Sequence, residues 1–157
     1  MGLVAAQINA TKQGREKMRS LYGVSDVVEA KCRFVENLMR KMDSEGIPVS
    51  MVTIPEFAVS RALIRPGASP HMDLSSFVAS LSLSAPPAIS GEYLAVCVAE
   101  HAVRRDCLAA VDRVHKAALT GSLAELGLAV LTELEAVHEG LSRVNAGLDT
   151  VTGTDAQ

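Results

Sequence analysis

Residues 92–148 read EYLAVCVAEHAVRRDCLAAVDRVHKAALTGSLAELGLAVLTELEAVHEGLSRVNAGL, and their spacing decides the fold. In the second half of this stretch Leu123, Leu126, Val130, Leu134, Val137, Leu141, Val144 and Leu148 recur every three or four residues. That is the period of one helix face rather than the alternation of a strand. The step from Val130 to Leu134 interrupts a heptad-like pattern, so coiled-coil winding relaxes there. The first half repeats the spacing with smaller side chains: Val96, Ala99, Val103, Cys107, Ala110, Val114 and Ala117. Small residues let two helix axes approach, and a Leu-rich stripe is expected to interdigitate with an Ala-rich one. Between the halves stands Thr120-Gly121-Ser122. Gly121 can end a helix in the left-handed conformation. Ser122 with Glu125 makes a capping box for the next helix. So short a turn makes the arms antiparallel neighbours. The expectation is a helical hairpin with arms 92–119 and 123–148.

Working outward, Leu94, Val98, Leu108, Val111, Leu119, Leu128 and Leu131 lie off the seam and need another surface to cover them. That surface is either the N-terminal half or another chain. Leu94, Val98, Leu108, Val111, Leu128 and Leu131 are therefore the expected partner-docking residues.

The chain before the hairpin is helical in pattern. Met1 to Leu21 is polar enough to face solvent, with Val4, Ile8, Thr11, Met18 and the adjoining Tyr22 near helical spacing, and Lys12, Arg15, Lys17 and Arg19 make it basic. Ser25 is placed to cap a helix whose stripe is Val28, Cys32, Val35, Met39 and Met42, widened by Phe34 and Leu38 and stopped by Gly46 and Pro48. Thr53 with Glu56, and Pro55 in the first turn, open a short helix to about Ile64 that offers Phe57, Ala58, Ala62 and Leu63 for packing. Arg65 to Pro70 reads as a linker. His71-Met72 follows, a dipeptide of the kind left where two reading frames are joined. Residues 1–71 and 72–157 thus read as one chain with an interhelix loop, or as two partner chains made into one. Asp73 is placed to cap a helix over Leu74–Leu83 with Leu74, Phe77, Val78 and Leu81 on one face, and Pro86-Pro87 ends it. Segments 1–65, 66–72 and 73–148 and a flexible tail 149–157 follow from this pass. The fold class is all-α: a bundle of about five helices centred on the hairpin.

Composition narrows the function. The 157 residues are 48% hydrophobic but only 3% aromatic, with no Trp. Aliphatic, Ala-rich chains favour helix, and so few aromatics argue against base-stacking surfaces. Residues 1–71 hold ten Lys/Arg against seven Asp/Glu, and residues 72–157 hold five against eleven. Either the halves attract each other, or the basic half meets an acidic partner. The overall balance gives no ground for specific DNA binding. Three scattered Cys form no disulfide framework or zinc spacing, which points to a reducing compartment such as the cytoplasm. No apolar run approaches the roughly 18 residues of a membrane span. Met1-Gly2 begins like an N-myristoylation signal, but Ala6 stands where Ser or Thr is needed.

Catalytic and metal patterns are thin. Glu135 and His138 make a Glu-x-x-His pair of the kind used in di-iron bundles. The positions facing them across the hairpin are Arg104 and Cys107, not carboxylates. Cys97 and His101 sit one helical turn apart, too few for a closed zinc site. Cys32 and Cys107 fall on apolar stripes as small hydrophobes. No catalytic, cofactor or metal residues are assigned. The expectation is a non-enzymatic interaction protein of the chaperone, scaffold or adaptor kind, docking onto a protein partner or itself. The joined-chain reading would make that partner its other half. A peripheral membrane protein using Gly2 and the basic first helix is one alternative. A helical-bundle protein binding metal or cofactor through Cys97, His101, Glu135 and His138 is the other.

Overall fold

The computed structural model describes residues 1–65, 69–85 and 91–152. It is all-α, and no strand occurs among the described residues. Seven α-helices follow in order: α1 Gly2–Ile8, α2 Lys12–Arg19, α3 Ala30–Ser44, α4 Thr53–Ser60, α5 Ser69–Ser84, α6 Gly91–Thr120 and α7 Leu123–Thr152. The last two are the expected hairpin, each a little longer than its sequence stripe. The chain forms two compact units, Met1–Ala95 and Val96–Gln157. Pro86-Pro87, Ser90, the middle of the expected linker and the last five residues lie outside the described residues, as do the side chains of His71 and Met72. The backbone of His71-Met72 lies within α5.

In the first unit the expected basic, solvent-facing opening helix is two helices, and the first is core. Leu3, Val4, Ala5, Gln7 and Ile8 are buried, Gln7 being the one polar side chain of an otherwise apolar helix. α1 packs on α3 and α5. Asn9 ends it by donating to the Ser82 carbonyl (3.0 Å) and accepting from the Ser82 hydroxyl (2.8 Å). Thr11 then caps α2 by accepting from the Gly14 N–H. The first residues of α6 complete this unit: Lys17 pairs with Glu92 at 2.9 Å, and Ala95 is fully buried.

Two helix starts, those of α3 and α4, differ from expectation because side chains other than the expected caps take the N–H groups. Val24–Asp26 is a 3₁₀ turn, with Asp26 accepting from the Gly23 N–H. The Glu29 carboxylate rather than Ser25 caps α3, accepting from Lys31 and Cys32 N–H. Val28 is consequently left exposed, while Cys32, Val35, Leu38, Met39 and Met42 fill the core. Ser50 takes the N–H groups of Val52 and Thr53, and the Thr53 hydroxyl turns back to the Pro48 carbonyl. The α5 helix starts before Asp73, which is therefore inside it; Leu74, Val78 and Leu81 are buried as expected.

Two helices end in the same backbone motif with different residues. At the end of α3, Ile47 N–H reaches the Met42 carbonyl (2.8 Å) and Gly46 takes φ +70°. At the end of α4, Leu63 N–H reaches the Ala58 carbonyl (2.9 Å) and Ala62 N–H the Val59 carbonyl (2.9 Å), with Ala62 at φ +55°. This Schellman geometry needs a left-handed residue, which glycine adopts without steric cost and alanine does not. Ala62 and Leu63 are exposed rather than packed. Ala62→Gly should therefore raise stability by about 0.5–1 kcal/mol, read as a higher urea midpoint at unchanged slope. An unchanged or lower midpoint would contradict the strain assigned to Ala62.

Candidate functional site: the open face of the hairpin

The turn closes largely as its residues dictate. Ser122 N–H and hydroxyl both donate to Glu125 Oε2 (2.7 and 2.9 Å), and the Glu125 N–H returns a bond to the Ser122 hydroxyl (3.3 Å). These bonds hold the Glu125 carboxyl below its usual range. Gly121 does not take a positive φ. Its need is closeness: a β-carbon there would lie 2.8 Å from the Ala117 carbonyl oxygen.

Below the turn, the seam closes at one level and opens at another. A β-carbon on Gly140 would meet Val103 at 2.9 Å, so the arms are in tight contact there. Nearer the turn, Cys107, Ala110, Val111, Val114 and His115 face Val130, Glu133, Leu134 and Val137 across a groove of about 560 Å³. The expected interdigitation is thus incomplete. Leu134 is 61% exposed opposite the short Cys107 and Ala110, and Leu123, the first residue of α7, is 88% exposed beside the turn. Arg113 and Glu133 tie the arms together in a two-pronged pair (2.5 and 2.7 Å). The guanidinium hydrogen bonds hold the Glu133 carboxyl below its ordinary range.

At 100° per residue, Leu108, Val111 and Leu119 of α6 and Leu123, Leu131 and Leu134 of α7 turn toward one face of the hairpin. Arg113 and Glu125 turn toward the other. The apolar side chains of the first face are 61–88% exposed. Of the six docking residues read from sequence, Leu108, Val111, Leu128 and Leu131 are exposed on the hairpin, with Leu128 at its outer edge. Val98 is half-buried. Leu94 is half-buried in the first unit, where its methyls lie near Gly2. Sequence reasoning missed Leu134 and Leu123, which it assigned to a closed seam.

The first unit holds a different cluster, of charge. Arg15 binds Asp43 with two prongs (2.8 and 2.6 Å), and Arg19 reaches Asp43 (2.7 Å), Glu36 (3.2 Å) and Gln7 (2.9 Å). Arg40 binds Glu36 (2.7 Å), while Gln7 donates to Glu36 (2.7 Å) and the Tyr22 hydroxyl (2.6 Å). Gln7, Arg15, Glu36 and Asp43 are all buried. Burial and the neighbouring Glu36 charge push the Tyr22 phenol well above its usual range. Burial also raises the Asp43 carboxyl, but hydrogen bonds from Arg15 and Arg19 outweigh it and hold the group below the usual carboxylate range. The expected basic N-terminal face is correspondingly reduced to Lys12 and Lys17, since Arg15 and Arg19 are inside. Carboxylates at Glu36 and Asp43 within the α3 apolar stripe were the available signal for this cluster.

The remaining candidates stay apart. Cys97 is half-buried, and His101, Glu135 and His138 are exposed. Among the described residues no three His, Cys, Asp or Glu side chains gather where they could hold a metal ion. Burial beside Glu29 pushes the Cys32 thiol up to about 12. A smaller groove of about 340 Å³, lined by Lys31, Phe34, Leu74 and Phe77 among others, lies in the first unit; the Lys31 ammonium stands 5.8 Å from the centre of the Phe77 ring. No described helix is long and apolar enough to cross a membrane. Compared with protein-family models, curated proteins and solved structures, the chain matches none.

Removing one member of a buried ion pair strands the other, at about 3–5 kcal/mol. Asp43→Asn should destabilise by that order in urea titrations near pH 7. Because the native Asp43 carboxyl is depressed, its contribution is fully present above the unfolded value of about 3.9 and is lost as pH falls through the native value. The variant should therefore lose stability less steeply than the native protein over that acid range, and parallel acid limbs would count against the assignment.

Proposed function

We infer that the protein is a non-enzymatic helical interaction protein, of the scaffold, adaptor or chaperone kind, that docks through the open face of its hairpin. One observation carries the reading: leucines and valines from both arms are left bare along a single face, beside an apolar groove. Scattered exposed leucines are ordinary on a protein surface, but a contiguous apolar strip rimmed by polar residues characterises interaction sites. The other face of the same hairpin carries the Arg113–Glu133 pair and the Glu125 cap, so the asymmetry belongs to the sequence and not to helices at large. An amphipathic helical surface meeting another apolar helical face is a common recognition mode.

The test is a Leu108→Lys, Leu131→Lys double variant. Both residues are exposed, so circular dichroism should be unchanged and stability should move by only about 0.5 kcal/mol. Fluorescence of the apolar dye ANS, bound by the native protein, should fall several-fold. A variant that unfolds would show these leucines to be interior, and unchanged dye binding would show that the face is not the apolar surface.

A further inference from the structure

We propose that the groove between α3 and α5 in the first unit binds a free apolar α-amino acid, its carboxylate on Lys31 and its ammonium on Asp73. The proposal stands apart from the docking reading, since every residue it uses lies within Met1–Ala95.

Two departures from the sequence pattern build the groove. Phe34 widens the α3 stripe in sequence, yet it stays 37% exposed while Cys32, Val35, Leu38 and Met39 fill the core. The α5 helix starts at Ser69 rather than at an Asp73 cap, so the Asp73 carboxylate lines the groove instead. Ile64, just past α4, joins Leu74 and Phe77 of α5 as apolar wall. Two of the chain's three phenylalanines thus line one open groove of about 340 Å³. That volume is at the small end of the range for ligand sites, roughly 300–1,000 Å³.

Charge names the ligand. Lys31 and Asp73 line the same groove, and among the described residues neither makes an ion pair, with the other or with a third group. The Lys31 ammonium stands near the Phe77 ring, 5.8 Å from its centre. The neighbouring Glu29 carboxylate is taken up by the Lys31 and Cys32 N–H groups. Asp73 precedes Phe77 by four residues on α5, which sets it about 6 Å away along the axis on the same helix face. An unpaired cation and an unpaired anion therefore border one apolar floor. An α-amino acid carries both opposite charges on a single carbon. With a hydrogen bond of about 2.9 Å at each end, it bridges groups up to roughly 8 Å apart. Its side chain is then left to cover Phe34, Ile64, Leu74 and Phe77. A simple apolar acid would satisfy Lys31 but bring its charge against Asp73, and an apolar amine would do the reverse. A neutral ligand would desolvate both charges and pair neither.

The experiment is a ligand-observed NMR titration of the full chain with L-leucine and L-phenylalanine, beside glycine, 4-methylpentanoate and 3-methylbutylamine. One or both apolar amino acids should bind with a Kd on the order of 1 mM or below. Glycine lacks the side chain, the acid lacks the ammonium and the amine lacks the carboxylate. Each of these should bind at least about tenfold more weakly. Lys31→Met and Asp73→Asn change exposed side chains, so both variants should keep the native circular dichroism spectrum. Each should weaken leucine binding about tenfold, and each should erase one discrimination. Asp73→Asn should take 4-methylpentanoate as well as leucine, and Lys31→Met should take 3-methylbutylamine as well as leucine. A structural role for either residue would not produce those exchanges, and the ligand series on the native chain decides the question without either variant. No binding of leucine or phenylalanine at about 10 mM overturns the proposal. Binding indifferent to both variants lies elsewhere and overturns it equally. A native protein that takes the acid or the amine as tightly as leucine has a site for a singly charged ligand, and the amino-acid assignment falls.

Discussion

Two helices lying side by side meet along a single line, whereas the apolar stripe on each is wider than that line. Everything distinctive about the hairpin follows from this mismatch. Its closed level, at Val103 and Gly140, exists because glycine permits contact there. Toward the turn the contact line shifts onto Ala and Cys, and the wide α7 stripe overhangs it as bare leucine. On the other face, the gap is bridged by Arg113 and Glu133. One pair of helices thus has a polar face and an apolar one.

The first unit meets the same geometric limit by surrounding its helices. α1 is short and apolar except at Gln7, and α3 and α5 lie against it. With enough neighbours, even charged residues can be enclosed, provided each is paired. Arg15 and Arg19 converge on Asp43, and Arg19 and Arg40 on Glu36. Such clusters add little net stability over an apolar core, but they penalise misregistered packing, because any shift would strand a charge. The excess positive charge of residues 1–71 is in consequence partly internal. It is less an electrostatic footprint for an acidic partner than the sequence count suggests.

The hairpin was legible in sequence because its information is local and periodic: the three-four spacing, the Ser122–Glu125 box and the short turn all act within a few residues. The same periodicity identified Leu108, Val111, Leu128 and Leu131 as lying off the seam. It could not show that Leu134 and Leu123 stay bare, since a stripe gives direction and not the depth of the partner opposite. The ion cluster was harder to read for another reason. Gln7, Arg15, Arg19, Tyr22, Glu36 and Asp43 come from three helices and the segment after α2, and singly each is a residue type common at surfaces. Helix starts failed at Ser25 and Thr53 because several candidate caps lay within a few residues, and Glu29 and Ser50 took the N–H groups instead.

The residues that specify the hairpin and those that make its apolar face are largely different. Direction reversal rests on Gly121, Ser122 and Glu125, and arm alignment rests on Val103, Gly140, Arg113 and Glu133. Leu108, Leu119 and Leu131 take part in none of these contacts and stay mostly solvent-exposed. Within the chain their burial contributes little, while their exposure favours association. Lys or Glu at the same positions would keep the helix propensity and remove that tendency. Their apolar character is therefore not accounted for by packing between the two arms.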